Sequence, residues 1–136
     1  MSEEYLQCYN QAVRYLAIRE HNRNELEAKL KRKMFKPQII SDVIEELIHK
    51  GYLNEERYIR SFINSRNRKN PEGKQIMLMR LLSKNADKEK CKIVLDEVYT
   101  EDYIDMLIKS SLEKNSIEKI QKSGFSYSRI KRIADE

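Results

Sequence analysis

Glycine, proline and cysteine are nearly absent from these 136 residues, which hold three Gly, two Pro and two Cys. With so few chain breakers, and with apolar residues recurring at i, i+1, i+4 and i+5, the pattern is helical nearly throughout and offers no convincing strand. Cys8 and Cys91 are far apart and each lies on an apolar stripe, so they read as buried thiols and not as a disulfide or a metal site. No run is long and apolar enough to span a membrane. The opening MSEEYLQCYN starts acidic and lacks the charged-then-apolar order of an export signal, so a cytoplasmic location is expected. Aromatic residues make up 8% against 36% charged, a profile for exposed helices around thin cores.

Catalytic chemistry is also missing. His21 and His49 have no Cys or acidic ligand at metal spacing. The pairs Glu45-Glu46, Glu55-Glu56 and Glu101-Asp102 are adjacent, so on a helix they diverge by about a hundred degrees and cannot act on one substrate. There is no Gly-rich phosphate loop and no nucleophile elbow. The expectation is a binding protein, not an enzyme, with no cofactor and no metal.

What is present is a repeat. Superposing KMFKPQIISDVI (33–44) on KSGFSYSRIKRI (122–133) at Phe35 and Phe125 places Ile40, Val43 and Ile44 over Ile130, Ile133 and Ala134. A third copy, with Ala86 in place of the phenylalanine, puts Cys91, Val94 and Leu95 at the same offsets. Upstream, AVRYLAIR (12–19), YIRSFINS (58–65) and YIDMLIKS (103–110) share one apolar spacing, and each is followed by a second amphipathic segment. The fold class is therefore all-α, three tandem three-helix repeats, about nine helices, in an elongated, curved array. The expected boundaries are 1–51, 52–99 and a short, degenerate 100–136. Asn24 with Glu27 and Asn115 with Glu118 stand at capping-box spacing. Pro37 suits the first turn of a helix, and Gly51 and Gly124 suit left-handed C-terminal positions. The second repeat is five residues longer than the first between the aligned positions. This surplus is expected as a loop in SRNRKNPEGK (65–74), where Pro71 and Gly73 lie. Its middle helix, with Ile76, Met77, Leu78, Met79, Leu81 and Leu82, is apolar on most sides, as for an element contacted by both neighbours.

Net charge is +5, unevenly spread: residues 57–92 hold eleven Lys/Arg against three acids, so that segment carries +8 and the rest −3 by subtraction. Such a field suits an anionic partner, either nucleic acid or an acidic protein surface. A helix-turn-helix at LEAKLKRKMFKPQIISDVIEELI is disfavoured by Asp42, Glu45 and Glu46 on its second helix, which would face phosphates.

Four segments in order, YLAIREHNRNELEAKLKRKMF, VIEELIHKGYLNEERYIRSFINSR, GKQIMLMRLL and SGFSYSRIKRI, resemble the successive signatures of the RecX regulatory proteins over roughly residues 12 to 133. Arg19, Glu25-Leu26 and Leu30 resemble the first-unit run. Gly51-Tyr52-Leu53 with Arg57-Tyr58 resembles the junction into the second unit, and Gly124-Phe125 the last-unit Gly-Phe. The chain departs from the family at two junctions, Lys33-Met34-Phe35 and Lys84-Asn85-Ala86, where the family's Lys-Gly-Phe loses its glycine. The resemblance implies a non-catalytic regulator that binds filaments of the RecA recombinase on DNA and inhibits or tunes strand exchange, ATP hydrolysis and coprotease activity. On that reading the candidate contact residues are Arg57, Arg60, Arg66, Arg68, Lys69, Lys74, Arg80 and Lys84, with Arg19, Arg23, Lys29 and Arg32 adjoining. The alternative is a helical DNA-binding protein without RecA specificity. A monomer is expected, since no long a/d seam runs through the chain.

Overall fold

A computed structural model describes residues 2–136. Among them are nine helices and no strand: α1 (Glu3–Ile18), α2 (Arg23–Arg32), α3 (Pro37–His49), α4 (Glu55–Lys69), α5 (Lys74–Ser83), α6 (Lys88–Val98), α7 (Glu101–Leu112), α8 (Ile117–Lys122) and α9 (Tyr127–Ala134). The principal helix packings all fall within consecutive trios, α1–α3, α4–α6 and α7–α9. The accessible surface is 8693 Å² for 16.3 kDa, whereas a compact monomer of that mass exposes about 7,500 Å². The excess is that of an elongated array.

Local chemistry starts and ends most helices. Ser2, Asn22, Asn54, Asp87, Thr100, Ser116 and Ser126 each accept a backbone N–H of the first turn through the side chain. The capping box of α2 is Asn22 with Glu25, not Asn24 with Glu27, and α8 is capped by Ser116, not Asn115. Asn24 instead turns its amide outward to the next trio. Pro37 occupies the first turn of α3.

The turn between the second and third helix of each trio has one residue in the left-handed region: Met34 (φ 70°), Asn85 (φ 63°) and Gly124 (φ 100°). The geometry survives where the glycine does not. A left-handed conformation costs a residue with a Cβ about 1–2 kcal/mol, whereas Gly adds about 0.5–1 kcal/mol of unfolded-state entropy. Met34 is 86% exposed and buries nothing in return. Met34→Gly is therefore expected to stabilise the chain by about 0.5–1 kcal/mol, read as a rise in urea midpoint. A lower midpoint would mean that the methionine side chain does more than its exposure suggests.

The surplus of the second trio is not a loop. Helix α4 runs eleven residues past Tyr58 while α1 runs six past Ala12, and that difference is the whole surplus. The following connections, 19–22 and 70–73, are equally long. Nothing in Ser65–Lys69 breaks a helix, so α4 continues until Pro71 and Gly73 stop it. The third trio is short for a different reason: α8 has six residues where α2 and α5 have ten.

Two cores form, not one. Cys8, Ala12, Leu26, Leu30, Ile40, Val43, Ile44, Leu47 and Leu53 make the first, within trio one. The second runs without a break through trios two and three, from Tyr58 and Ile59 to Ile130 and Ile133. Cys8 and Cys91 are both free and buried, and burial pushes each thiol up to about 11. Helix α5 touches both neighbouring trios, but by its ends: Asn22 Nδ2 donates to Lys84 O beyond its C-terminus, and Gly73 N at its N-cap donates to Ser123 O. Between those ends Met79 stays 70% exposed, so the helix is not enclosed all round.

Candidate partner-binding surface

The twelve candidate cations divide by what holds them. Arg57 is a structural clamp: its guanidinium donates to Gly51 O at 3.1 Å and Tyr52 O at 3.1 Å and pairs with Glu20, tying α4 to the chain leaving α3. Arg60 is shared by Glu56 and Glu97, and Lys74 pairs with Asp96. Arg66 and Arg80 converge on the Glu72 carboxylate, at 3.1 Å and 2.6 Å. Burial pushes that carboxyl up, yet the two guanidinium hydrogen bonds outweigh it and hold it below the ordinary carboxylate range. Arg19 makes a two-pronged pair with Glu25 (2.9 and 3.3 Å), and Arg23 pairs with Glu45 at 2.9 Å. Among the described residues no ion pair reaches Arg32, Arg68, Lys69 or Lys84, all of them exposed. No neighbouring carboxylate offsets these four among the described residues.

They also divide by face. Arg19 and Lys84 border a groove of about 360 Å³ between the first two trios, with Phe62, Ser61 and Ser65 along it. Arg66 stands 5.9 Å over the Phe62 ring, extending that border along α4. Arg23 lies on a different groove, of about 540 Å³, with Glu97, the partner of Arg60. Residues contiguous in the basic segment are thus separated by the helical rotation of α4.

Lys29 has a partner that the sequence did not reveal. Its Nζ lies 2.7 Å from His21 Nε2 and 5.0 Å over the Tyr15 ring. His21 Nδ1 sits 3.0 Å from Arg19 O, a carbonyl that can only accept, so the proton is on Nδ1 and Nε2 accepts from the lysine. His21 is buried, and burial followed by the charges of Arg19 and Lys29 lowers its pKa below the ordinary 6.5. The folded state thus binds fewer protons than the unfolded one, so this group lowers stability as pH falls below about 6.5 and contributes no slope above it. A urea midpoint that is level from pH 8 to 7 and declines from 6.5 to 5.5 is expected, with the decline reduced in His21→Asn, which keeps a donor to Arg19 O but does not titrate. An equal decline in the variant would acquit the imidazole.

The seam between trios one and two is polar. Glu55 accepts Arg23 N–H and Asp87 N–H, each at 2.9 Å, and Asn24 Nδ2 donates to Asn85 O at 2.8 Å. The seam between trios two and three is tied by Asn67, whose amide donates to the hydroxyls of Tyr99 (3.0 Å) and Tyr103 (2.9 Å) and accepts Glu72 N–H at 2.9 Å. Asn67 lies in the extra length of α4. Among the described residues no group of His, Cys, Asp and Glu is placed to hold a metal, and no helix is long and apolar enough to cross a membrane.

The family pattern for the first three-helix domain of RecX matches residues 8–47. Regulatory protein RecX of Bacillus subtilis (strain 168) is 24% identical across 98% of this chain and 56% of its own length. That of Chlorobium limicola is 30% identical across 63% of this chain and 54% of its own. The chain thus spans a little over half the length of these curated relatives. The crystal structure of RecX from Lactobacillus salivarius superposes with a TM-score of 0.77 at 22% identity, over 99% of this chain and 97% of that one. A second crystal structure of a regulatory protein RecX gives 0.74 at 15% identity, over 98% and 73%. These two establish likeness of fold.

Proposed function

We propose that this chain, which belongs to the RecX family of regulatory proteins, binds filaments of the RecA recombinase on DNA in the cytoplasm and restrains their strand exchange, ATP hydrolysis and coprotease activity. The observation that carries the reading is the likeness to RecX proteins along nearly the whole chain. An elongated helical array with unpaired cations on its surface is the kind of body that acts by occupying a long anionic or mixed surface.

The test is DNA-dependent ATP hydrolysis on single-stranded DNA by the recombinase of the same organism, titrated with this chain at fixed moderate salt. A fall well below the concentration that coats the DNA supports the reading. No change until the DNA is saturated would leave competition for DNA, with affinity for the single strand falling steeply in salt by a slope of about 0.7 per neutralised phosphate.

Within that reading Arg68, Lys69 and Lys84 are the residues to remove, because Arg57, Arg60, Arg66 and Arg80 are engaged by neighbouring acids or carbonyls. Each exposed contact contributes about 0.2–1 kcal/mol, so the triple alanine variant is expected to bind filaments about three- to a hundredfold more weakly with unchanged helicity. Unchanged affinity removes these three from the interface.

A further inference from the structure

The 540 Å³ groove between the first two trios differs in character from the basic surface. Its floor is the buried Leu53 and Val94, and its walls carry Ile48 and Ile93, 40% and 59% exposed. Two aliphatic side chains left in water on facing helices, α3 and α6, over an apolar floor form a patch, which isolated surface residues do not. The rim is acidic. Among the lining residues Glu55, Glu56, Asp87 and Glu97 stand against Arg23 and Lys90, a net of −2 in a chain of +5.

Counting the ion-pair partners Glu45 and Arg60 leaves that excess at −2, with Lys90 on the same rim in no ion pair among the described residues. Glu55 is taken up by the N–H groups of Arg23 and Asp87, and Arg23 is neutralised by Glu45. Glu56 and Glu97 share the single guanidinium of Arg60, so one of the two charges stays unbalanced. Asp87 caps α6 by accepting Lys90 N–H and has no cation of its own. An apolar floor framed by α3 and α6 and by the starts of α2 and α4, with a rim of net negative charge, matches helix-in-groove recognition. An aliphatic anchor would fill the space between the isoleucines and basic residues one turn away would reach the rim.

We infer that this groove docks a cationic amphipathic helix of a partner protein, with an aliphatic side chain seated between Ile48 and Ile93 and Lys or Arg side chains against Glu56, Asp87 and Glu97. Nucleic acid is disfavoured by the same carboxylates. The inference does not rest on the recombinase reading and would survive its failure.

The probe is a fluorescein-labelled, alanine-based 16-residue helix carrying two leucines at i, i+4 flanked by four lysines, titrated with the full chain and read by anisotropy. A counterpart with glutamates for lysines is the comparison. The lysine helix is expected to bind saturably, at least tenfold tighter than the glutamate helix and more weakly at high salt. Ile93→Glu and Glu97→Lys, both at exposed side chains, are each expected to weaken it tenfold or more with helicity unchanged. Equal binding of both helices, no saturable binding of the lysine helix, or undiminished affinity in both variants overturns the inference.

Discussion

Gly73→Ala is expected to cost about 3 kcal/mol of stability, seen as a fall in melting temperature of about 10 °C. The backbone of Gly73, φ −70° and ψ 164°, is open to any residue, so the cost is not conformational. It comes from close approach. A Cβ built there lies 2.7 Å from the carbonyl carbon of Gly124 and closer still to its oxygen, both backbone atoms that cannot swing aside. The N–H of Gly73 donates to Ser123 O at 2.8 Å, so relieving the clash breaks the bond that joins the start of α5 to the last turn of the third trio. Two other glycines calibrate the result. Gly124→Ala meets the movable Ile76 Cδ1 at 2.9 Å and adopts a positive φ, while Gly51→Ala has nothing within 4 Å and bears only the left-handed penalty, about 1 kcal/mol. The order of damage should be Gly73, Gly124, Gly51. A Gly73→Ala protein melting like Gly51→Ala would show that these two loops do not touch.

Asn67→Ala should be about as damaging, and its damage should be local. The substitution leaves Glu72 N–H without its acceptor and removes the donor shared by two tyrosine hydroxyls, in a site where Asn67 is 6% exposed. A buried polar group left unpaired costs about 1–3 kcal/mol, and the loss of one N–H acceptor with two cross-links places the total near 3 kcal/mol. Burial pushes the Tyr99 hydroxyl up to about 12, so it stays protonated and keeps donating to Glu72 O at 2.8 Å. Because the first core is separate from the continuous core of the second and third trios, hydrogen exchange should accelerate in α4–α9 and leave α1–α3 protected. Uniform acceleration from α1 to α9 would show that the polar seam couples the trios as tightly as a shared core.

The sequence misplaced the same extra length of α4 that Asn67 stabilises. SRNRK reads as loop because Pro71 and Gly73 follow closely, yet a breaker acts at its own position and, for proline, one residue back. What holds residues 65–69 helical is their use: Asn67 needs a helix to reach Tyr99 and Tyr103, 32 and 36 residues away. The cap of α2 was misread for a related reason. Asn22 and Asn24 both have a Glu three residues on, and the spacing alone does not say which asparagine ends the connection and which turns to the next trio.

By itself the sequence determined that the chain is helical, that its helices recur in trios, that Ile40, Val43 and Ile44 and their counterparts face inward save for Ala134, and which signatures it shares with RecX proteins. Periodicity, turn chemistry and segment order are written within a few residues of where they act. Only the tertiary structure decided which cations are free, that two cores and not one or three are present, and that an acidic apolar groove lies between the first two trios. Charge along a chain adds up regardless of fold, but an arginine is neutralised by whichever carboxylate arrives within hydrogen-bonding distance. For Arg57 that is Glu20, and Arg60 is reached by Glu97 besides its helix neighbour Glu56; Glu20 and Glu97 are each 37 residues distant in sequence from their arginine.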